Sequence, residues 1–227
     1  MSSTIWNDIV RSATQQHGEL LSQFFVKNGI AESKLFQTEN NSIVIHQRYL
    51  PRTDRTVTLL TRSPAMESNI IAEATKVILS YRNRMNIDYP HFQGVIYFVY
   101  NKEGDITMPI YIGISHRLGR NNNLNQNLIH LESREFFARW GDDIARHIGG
   151  LSNALFKNGF PMEKKYLRFA DAIIEQRDQD IVEKLPLYFG IKAIPKKFVY
   201  DNYPITLDEL ETKLIKRFNP LVNTIFS

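Results

Sequence analysis

Two strongly β-prone runs, separated by a polar connection that contains glycine, constrain the fold of this chain more than any other feature. They are Gly94–Tyr100 (GVIYFVY) and Pro109–Ser115 (PIYIGIS). Aromatic and β-branched residues favour extended strands and the connection favours a chain reversal, so the pattern predicts a β-hairpin. Side chains alternate between the two faces of a strand, so Tyr111 and Gly113 share a face and the glycine leaves space beside the tyrosine ring.

A helix of about three turns is predicted near the C-terminus. Thr206 precedes Glu209 by three residues, the pattern of an N-cap with its reciprocal carboxylate, and the helix must end before Pro220. Glu211 lies at the edge of the apolar stripe, where a carboxylate is either a solvated flanking residue or a ligand held over a neighbouring sheet. Asn223 is a second fixed polar group beyond the helix. The apolar stripe consists of Leu207, Leu210, Leu214 and Phe218.

Composition excludes several classes of protein. The chain has 227 residues and no cysteine, so it has neither a disulfide framework nor a thiolate zinc site, and a reducing compartment is the simplest expectation. Because no segment approaches about 18 consecutive apolar residues, the sequence predicts a cytoplasmic protein with no membrane partner. The net charge of +4 is compatible with a polyanionic partner but does not require one.

The first 90 residues are predicted to form an extension built from a helix, a β-hairpin and a second helix. Helical periodicity runs through residues 4–27, and two strand patterns follow at 42–49 and 55–61. A second helical pattern begins at Pro64. The expected division is therefore residues 1–90, supplying recognition or dimer contacts, and residues 91–227.

Three motifs in order give the second part a specific resemblance. They are Ile96-Tyr97 with Gly94 nearby, Tyr111-Ile112-Gly113, and the spacing ExxLIxxFxPxxN from Glu211 to Asn223. Together they resemble the GIY-YIG nuclease family over residues 91–227. The chain departs from the family pattern at two positions: Gly94 lies one residue too far from Ile96, and Ile114 stands where many members carry lysine.

The resemblance implies an α+β fold with a small, mainly antiparallel three-stranded sheet flanked by helices, with a strand at residues 187–194 before the Glu211 helix. It implies that Glu211 binds one Mg²⁺ or Mn²⁺ and that Tyr97 acts as the general base, while Tyr111 orients the water or the phosphate. Gly113 and Asn223 would support the site. A free tyrosine has a pKa of about 10, so the phenolate needs a neighbouring cation or a strong hydrogen bond.

Arginine and histidine candidates for that cation come from the segment after the second tyrosine motif. The family places a catalytic arginine and a following His or Tyr on a helix here, and Arg139 with His147 is the preferred match. Alternatively, Arg139 pairs with Asp143 on an exposed helix face. Rivals for the arginine role are Arg120 and Arg146, with Arg117 as a weaker one. The candidate DNA-binding residues are Arg117, Arg120, Arg146, Lys192, Lys196 and Lys197.

The function expected from these residues is a metal-dependent endonuclease that acts on double-stranded DNA, of a restriction or defence type, with a homodimer left open. Two alternatives come from other classes. One is a catalytically inactive nucleic-acid-binding protein with the same fold, and the other is a protein–protein module whose tyrosines only pack. Tyr97 and Glu211 on opposite sides of the sheet would favour the last.

Overall fold

The computed structural model describes residues 21–51, 53–103, 106–125, 128, 150–160, 164–177, 180–184 and 186–224. Within these ranges the protein mixes α-helices with mainly antiparallel strands. The helices are α1 (Leu21–Asn28), α2 (Pro64–Arg82), α3 (Gly150–Phe156), α4 (Lys164–Ile173), α5 (Leu207–Phe218) and α6 (Leu221–Thr224). The strands are β1 (Ala31–Lys34), β2 (Thr38–Glu39), β3 (Ser42–Ile43), β4 (Ile45–Leu50), β5 (Arg55–Leu60), β6 (Phe92–Glu103), β7 (Ile106–His116), β8 (Ile174–Arg177), β9 (Asp180–Glu183), β10 (Leu187–Pro195), β11 (Val199–Tyr200) and β12 (Tyr203–Pro204).

The main sheet contains four of the described strands in the order β1-β10-β6-β7, and each neighbouring pair is antiparallel. The predicted hairpin is present as β6 and β7, and the strand predicted before the Glu211 helix is β10. The expectation of three strands was wrong, because Ala31–Lys34 adds β1 to the outer side of β10. This four-residue strand has no β-branched residue, so its sequence carries almost no strand signal.

Alternating side chains of β6 divide the interior into two apolar clusters. Val95 and Val99 point into a cluster that includes residues of α2 and α4. Ile96 and Phe98 point to the other side, where α1 and α5 pack. Tyr97 packs against the first cluster. The period of two that was read from the sequence therefore determines which face each of these β6 residues serves. In β7 the pairing register shifts next to Ile110, which lies in the same cluster as its neighbour Tyr111.

Residues from both predicted segments share these cores. Ile70 and Val77 of α2 lie in the same buried cluster as Val95 and Val99 of β6. The β4–β5 hairpin is present, and of the predicted first helix the described part is α1. Because the first segment contributes a strand to the main sheet and side chains to its core, the division near residue 90 does not separate two independent cores.

The C-terminal helix α5 has the caps predicted from its sequence. Thr206 accepts a hydrogen bond from the Glu209 main-chain N–H, and the Glu209 carboxylate accepts one from the Thr206 N–H at 2.9 Å. Asn219 ends the helix in the left-handed conformation, with φ of 46°. This helix packs beside β7, the edge strand that carries Tyr111. Among the described residues, no helix is long and apolar enough to cross a membrane.

Candidate functional site

Two tyrosine rings lie above a single glycine in the β6–β7 hairpin. Tyr97 of β6 is paired with Gly113 of β7, and Tyr111 lies two residues before the glycine on the same face. A Cβ atom built on Gly113 would lie 2.6 Å from both Cζ and Oη of Tyr97, and 2.7 Å from Cε1 of Tyr111. The ring centroids of the two tyrosines are 6.0 Å apart. Glycine is therefore required here, because any side chain would occupy the space of the two phenols.

Aromatic side chains from distant parts of the chain complete the wall of this site. Phe189 of β10 stacks on Tyr97, with ring centroids 5.9 Å apart and an interplanar angle of 20°. Phe169 of α4 meets Tyr111 edge-on at 6.5 Å. Both phenylalanines are fully buried. They keep the two tyrosine rings in place and shield that side of the phenols from solvent.

The pKa of Tyr97 is raised well above its ordinary value. Burial of the phenol is the largest cause, followed by the charges of Tyr111 and Tyr166, a hydrogen bond with Tyr111, and the charge of Glu211. Each of these makes the phenolate less favourable. Within its described surroundings Tyr97 is therefore a neutral phenol at neutral pH.

Glu211 belongs to the same electrostatic environment as Tyr97, although most of α5 packs on the other face of the sheet. Leu210 and Leu214 of α5 lie in the cluster formed with Ile96 and Phe98, opposite Tyr97. Glu211 is only partly buried at the edge of this apolar stripe, and α5 lies beside β7, the edge of the sheet. Its carboxylate contributes to the raised pKa of Tyr97. The negative charge of Glu211 is therefore felt at the Tyr97 phenol, as the smallest of the five causes of its raised pKa.

Asn223 is hydrogen bonded to the strand next to the glycine. Its Nδ2 donates to the Ile112 carbonyl at 2.9 Å, and its Oδ1 accepts from the Ile112 N–H at 2.8 Å. Because β7 is an edge strand, the Asn223 amide takes the place of a further strand and satisfies both main-chain groups. The peptide before Gly113 is thereby fixed.

Of the basic residues predicted from the sequence, the structure brings Arg117 and Lys196 together. Both line a groove of about 520 Å³ at the end of the main sheet. Lys197 is exposed beside Lys196, whereas Lys192 donates to the Gly29 carbonyl near the end of α1 and does not line the groove. The groove is lined by Phe92, Gln93, His116, Arg117, Leu118, Lys196, Pro204, Ile205, Thr206 and Glu209.

Several sequence candidates lie where the structure gives no side-chain position. Arg139, Arg146 and His147 are outside the described residues. Arg120 begins a short 3₁₀ turn, and only its main chain is described. The choice among these residues for the cation facing Tyr97 therefore stays a prediction.

Sequence reasoning missed three side chains that belong to this region. Tyr166 and Phe169 lie on α4, for which the sequence indicated no site residue, and Phe189 lies on β10, the strand expected at residues 187–194. Both the tyrosine and the phenylalanine on α4 are buried, and helical periodicity alone cannot show that they lie near the tyrosine pair. Helix α4 ends at Ile173, because residues from Ile174 pair with β9 as a hairpin.

Gln93 is a further polar residue that the sequence did not reveal. Its Oε1 accepts from the Leu207 N–H at 2.8 Å, while its Nε2 donates to the Ile205 and Pro195 carbonyls at 3.0 and 3.2 Å. One side chain thus joins the start of β6, the end of β10 and the first turn of α5. It connects the groove to the helix that carries Glu211.

The described residues can hold a divalent cation through one carboxylate rather than through a cluster of protein ligands. In the part of the chain that the structure describes, no three His, Cys, Asp or Glu side chains are grouped as a metal site. A single partly buried carboxylate, Glu211, suits a hard cation that keeps most of its waters and takes further ligands from a phosphate.

Comparisons of the chain with protein-family models, curated proteins and solved structures found no match.

Proposed function

We propose that this protein is a metal-dependent DNA endonuclease of the GIY-YIG type, with the tyrosine pair and Glu211 as its active site. One observation supports the proposal above all. Tyr97 and Tyr111 meet over Gly113, and the charge of Glu211, about 100 residues further along the chain, reaches the phenol of Tyr97. A packing module has no need for a carboxylate in this place. Buried titratable groups with strongly shifted pKa values are typical of functional sites.

Hydrolysis of a phosphodiester requires a deprotonated water, positive charge near the phosphoryl oxygens and stabilisation of the leaving oxygen. Glu211 would hold one Mg²⁺ or Mn²⁺ together with a phosphate oxygen of the substrate. When bound, the cation supplies positive charge to the phosphoryl oxygens and offsets the carboxylate that disfavours the Tyr97 phenolate.

Tyr97 is proposed to accept the proton of the attacking water, and Tyr111 to orient Tyr97 through their hydrogen bond. Tyr97 can act as a base only if its pKa is lowered in the substrate complex, because burial and the neighbouring groups all raise it. A positive charge must therefore face its oxygen in the substrate complex. Arg139, His147 and Arg120 remain the proposed sources within the chain. Phe189 stacks on the Tyr97 ring and restricts the approach of water to it.

The test is plasmid nicking by Glu211→Gln, a substitution that removes the charge and keeps the shape. We expect the rate to fall by more than about a hundredfold, because loss of the metal-binding carboxylate removes several kcal/mol of transition-state stabilisation. Affinity for DNA should stay within about threefold, since scattered phosphate contacts dominate it. Glu39→Gln, the same change at an exposed strand residue, is the matched control.

Tyr97→Phe should also be inactive while it melts like the wild type, because only the hydroxyl is removed. Nicking that persists in chelator would refute the metal requirement, and a normal rate in Glu211→Gln would refute the site. Mapping of cleavage positions on a long duplex then tests the restriction or defence type, which requires a defined recognition sequence.

A second candidate function is a nucleic-acid-binding protein of the same fold without catalysis. The raised pKa of Tyr97 favours it, because a neutral phenol cannot act as a base. The purified protein would then bind duplex DNA with the salt dependence of phosphate contacts. It would not nick DNA with Mg²⁺ or Mn²⁺ at any pH between about 6 and 9. Cleavage that depends on a tyrosine base should accelerate over this pH range.

A further inference from the structure

Two large apolar side chains protrude from the connection between α2 and β6. Met85 is 92% exposed and Ile87 is 89% exposed, and they are separated by one residue. Single exposed apolar residues are common on protein surfaces and need no explanation. Two neighbouring ones that are almost fully exposed on one connection are a candidate contact surface. We call residues 83–90 the wedge loop.

The wedge loop is held by its own hydrogen bonds. The Asn86 N–H donates to the Asn83 carbonyl at 2.9 Å, and the Tyr89 N–H donates to the Asn86 carbonyl at 3.3 Å. The Asn86 Oδ1 accepts from the Asp88 N–H at 3.0 Å. Successive turns of this kind reduce the number of main-chain conformations. Met85 and Ile87 therefore lie on a loop with a defined main-chain conformation.

The wedge loop is joined to the basic groove at the end of the main sheet. Ser80, just before it, accepts from the Phe92 N–H at 3.0 Å and from Arg117 Nη1 at 3.4 Å. His91, just after it, accepts at its carbonyl from the Lys196 N–H at 2.7 Å. Phe92, Arg117 and Lys196 all line the groove. The wedge loop therefore starts and ends close to the wall of the basic groove, and the loop and the groove together make up one candidate surface.

Positive charge predominates on this surface. Its cationic side chains are Arg82 at the end of α2, Arg84 on the wedge loop, Arg117, and Lys196 and Lys197 after β10. Three acidic side chains of the described residues lie on it, and two of them are hydrogen bonded within the protein. Asp208 pairs with His116 at 3.0 Å, and Glu209 accepts from the Thr206 N–H. The third, Asp88, is exposed on the wedge loop. The net charge of the surface suits a polyanion.

We infer that duplex DNA binds across this surface, with its phosphates on the basic groove and with Met85 and Ile87 pressed between base pairs from the minor groove. Methionine and isoleucine are among the side chains that serve as wedges at base steps, where they unstack and kink the duplex. An anionic membrane fits less well, because two of the cations, Arg117 and Lys196, line a concave groove and two apolar side chains bury little area in lipid.

The inference rests on the proposed function for the choice of DNA as the polyanion. Gly94, beside the groove, precedes Tyr97 by three residues on β6, a distance of about 10 Å along a strand. A duplex on the groove therefore lies close to the proposed active site. A kink at the wedge would widen the minor groove at that base step, and this would help a phosphodiester reach the tyrosine pair.

The test compares Met85→Ser/Ile87→Ser with Val26→Ser, which changes an apolar residue that is 82% exposed on α1. All are made in the Glu211→Gln chain, so that cleavage cannot disturb binding. Affinity for a 30-base-pair duplex is measured by fluorescence anisotropy, and unstacking by 2-aminopurine placed at successive steps. We expect the double variant to bind at least about tenfold more weakly and to lose the 2-aminopurine signal, while the control changes less than about twofold.

The basic groove is tested separately by the salt dependence of binding. Each lysine that contacts a phosphate contributes about 0.9 to the slope of log affinity against log salt concentration, so Lys196→Gln/Lys197→Gln should lower the slope by about 1.8. Lys27→Gln, at an exposed position on α1, should leave the slope unchanged. All four substituted positions in the two double variants are on the surface, so the melting temperature should not move.

Unchanged affinity and an unchanged 2-aminopurine signal in the folded wedge variant would overturn the inference. So would loss of binding to vesicles of 70% phosphatidylcholine and 30% phosphatidylglycerol with DNA affinity preserved, since the loop would then contact lipid. Failure of the nuclease proposal is a different result, because the wild type would bind DNA through the wedge loop but never nick it.

Discussion

Gly113→Ala is expected to disturb the proposed active site through a steric conflict that the structure locates. The new methyl group would lie 2.6 Å from Cζ and Oη of Tyr97 and 2.7 Å from Cε1 of Tyr111. Carbon atoms in contact need about 3.5 to 4.0 Å, so both rings must move by roughly 1 Å. Phe189 stacks behind Tyr97 and opposes this movement.

The magnitude follows from two opposing contributions. Overpacking of a buried site costs about 1–3 kcal/mol, and replacement of a strand glycine by alanine recovers about 0.5–1 kcal/mol of conformational entropy. The middle of these ranges gives a net loss of about 1 kcal/mol, with an upper limit of about 2.5 kcal/mol, which corresponds to a fall in melting temperature of about 2–4 °C and at most about 10 °C for a chain of this size. The nicking rate should fall by up to about a hundredfold, because displacement of catalytic groups by about 1 Å can cost that much in rate. This is more than the loss of folded protein alone would cause.

Chemical denaturation and plasmid nicking measure the two effects. Gly119→Ala is the matched control, because a Cβ atom there would meet Asn125 Cα at an ordinary 3.4 Å. Tyr97→Leu removes the Cζ and Oη atoms involved, so Gly113→Ala should cost at least about 1 kcal/mol less in that background. An equal cost in both backgrounds, or a Gly113→Ala protein as stable and active as the wild type, would refute the reasoning.

Two further predictions concern stability. Asn223→Leu removes both hydrogen bonds to Ile112 and should lower the free energy of unfolding, measured in urea, by about 1–3 kcal/mol. Asn223→Asp keeps the acceptor and should lose less. A Leu variant as stable as the wild type would contradict the bracing role. Burial raises the pKa of Glu183 from 4.5 to about 7, so its folded form keeps a proton that the unfolded chain loses. The resulting stability is present below pH 4.5 and is lost as the pH rises through about 7. Glu183→Gln, which still accepts from the Leu187 N–H, should therefore be more stable than the wild type by about 2 kcal/mol at pH 8 but not at pH 4; equal stability at pH 8 would show that the carboxyl is not buried in solution.

Much of the framework of the candidate site was predictable because its signals are local. The hairpin follows from β-prone runs around a polar connection, and the α5 helix from a cap at Thr206 and a stop near Pro220. Such signals act over a few residues, so they do not depend on the rest of the fold. The position of Glu211 at the edge of a buried stripe was predictable for the same reason.

Other features had no local signal. Ala31–Lys34 becomes a strand because β10 offers an edge for it, and the four residues would not form a strand alone. The burial of Tyr97, and hence its raised pKa, depends on Phe189 and Tyr166, which come from elements about 70–90 residues further along the chain. Gln93 likewise has three partners that are all more than 100 residues away.

The sequence by itself determined which segments form the hairpin and the terminal helix, and which residues of β6 share a face, because alternation and capping are properties of neighbouring residues. Only the tertiary structure decided that the Tyr97 phenol is buried beside a second tyrosine and within reach of the Glu211 charge. It also decided that the loop with Met85 and Ile87 lies next to a basic groove. Proximity and burial depend on how distant segments pack, and local propensities do not encode that packing.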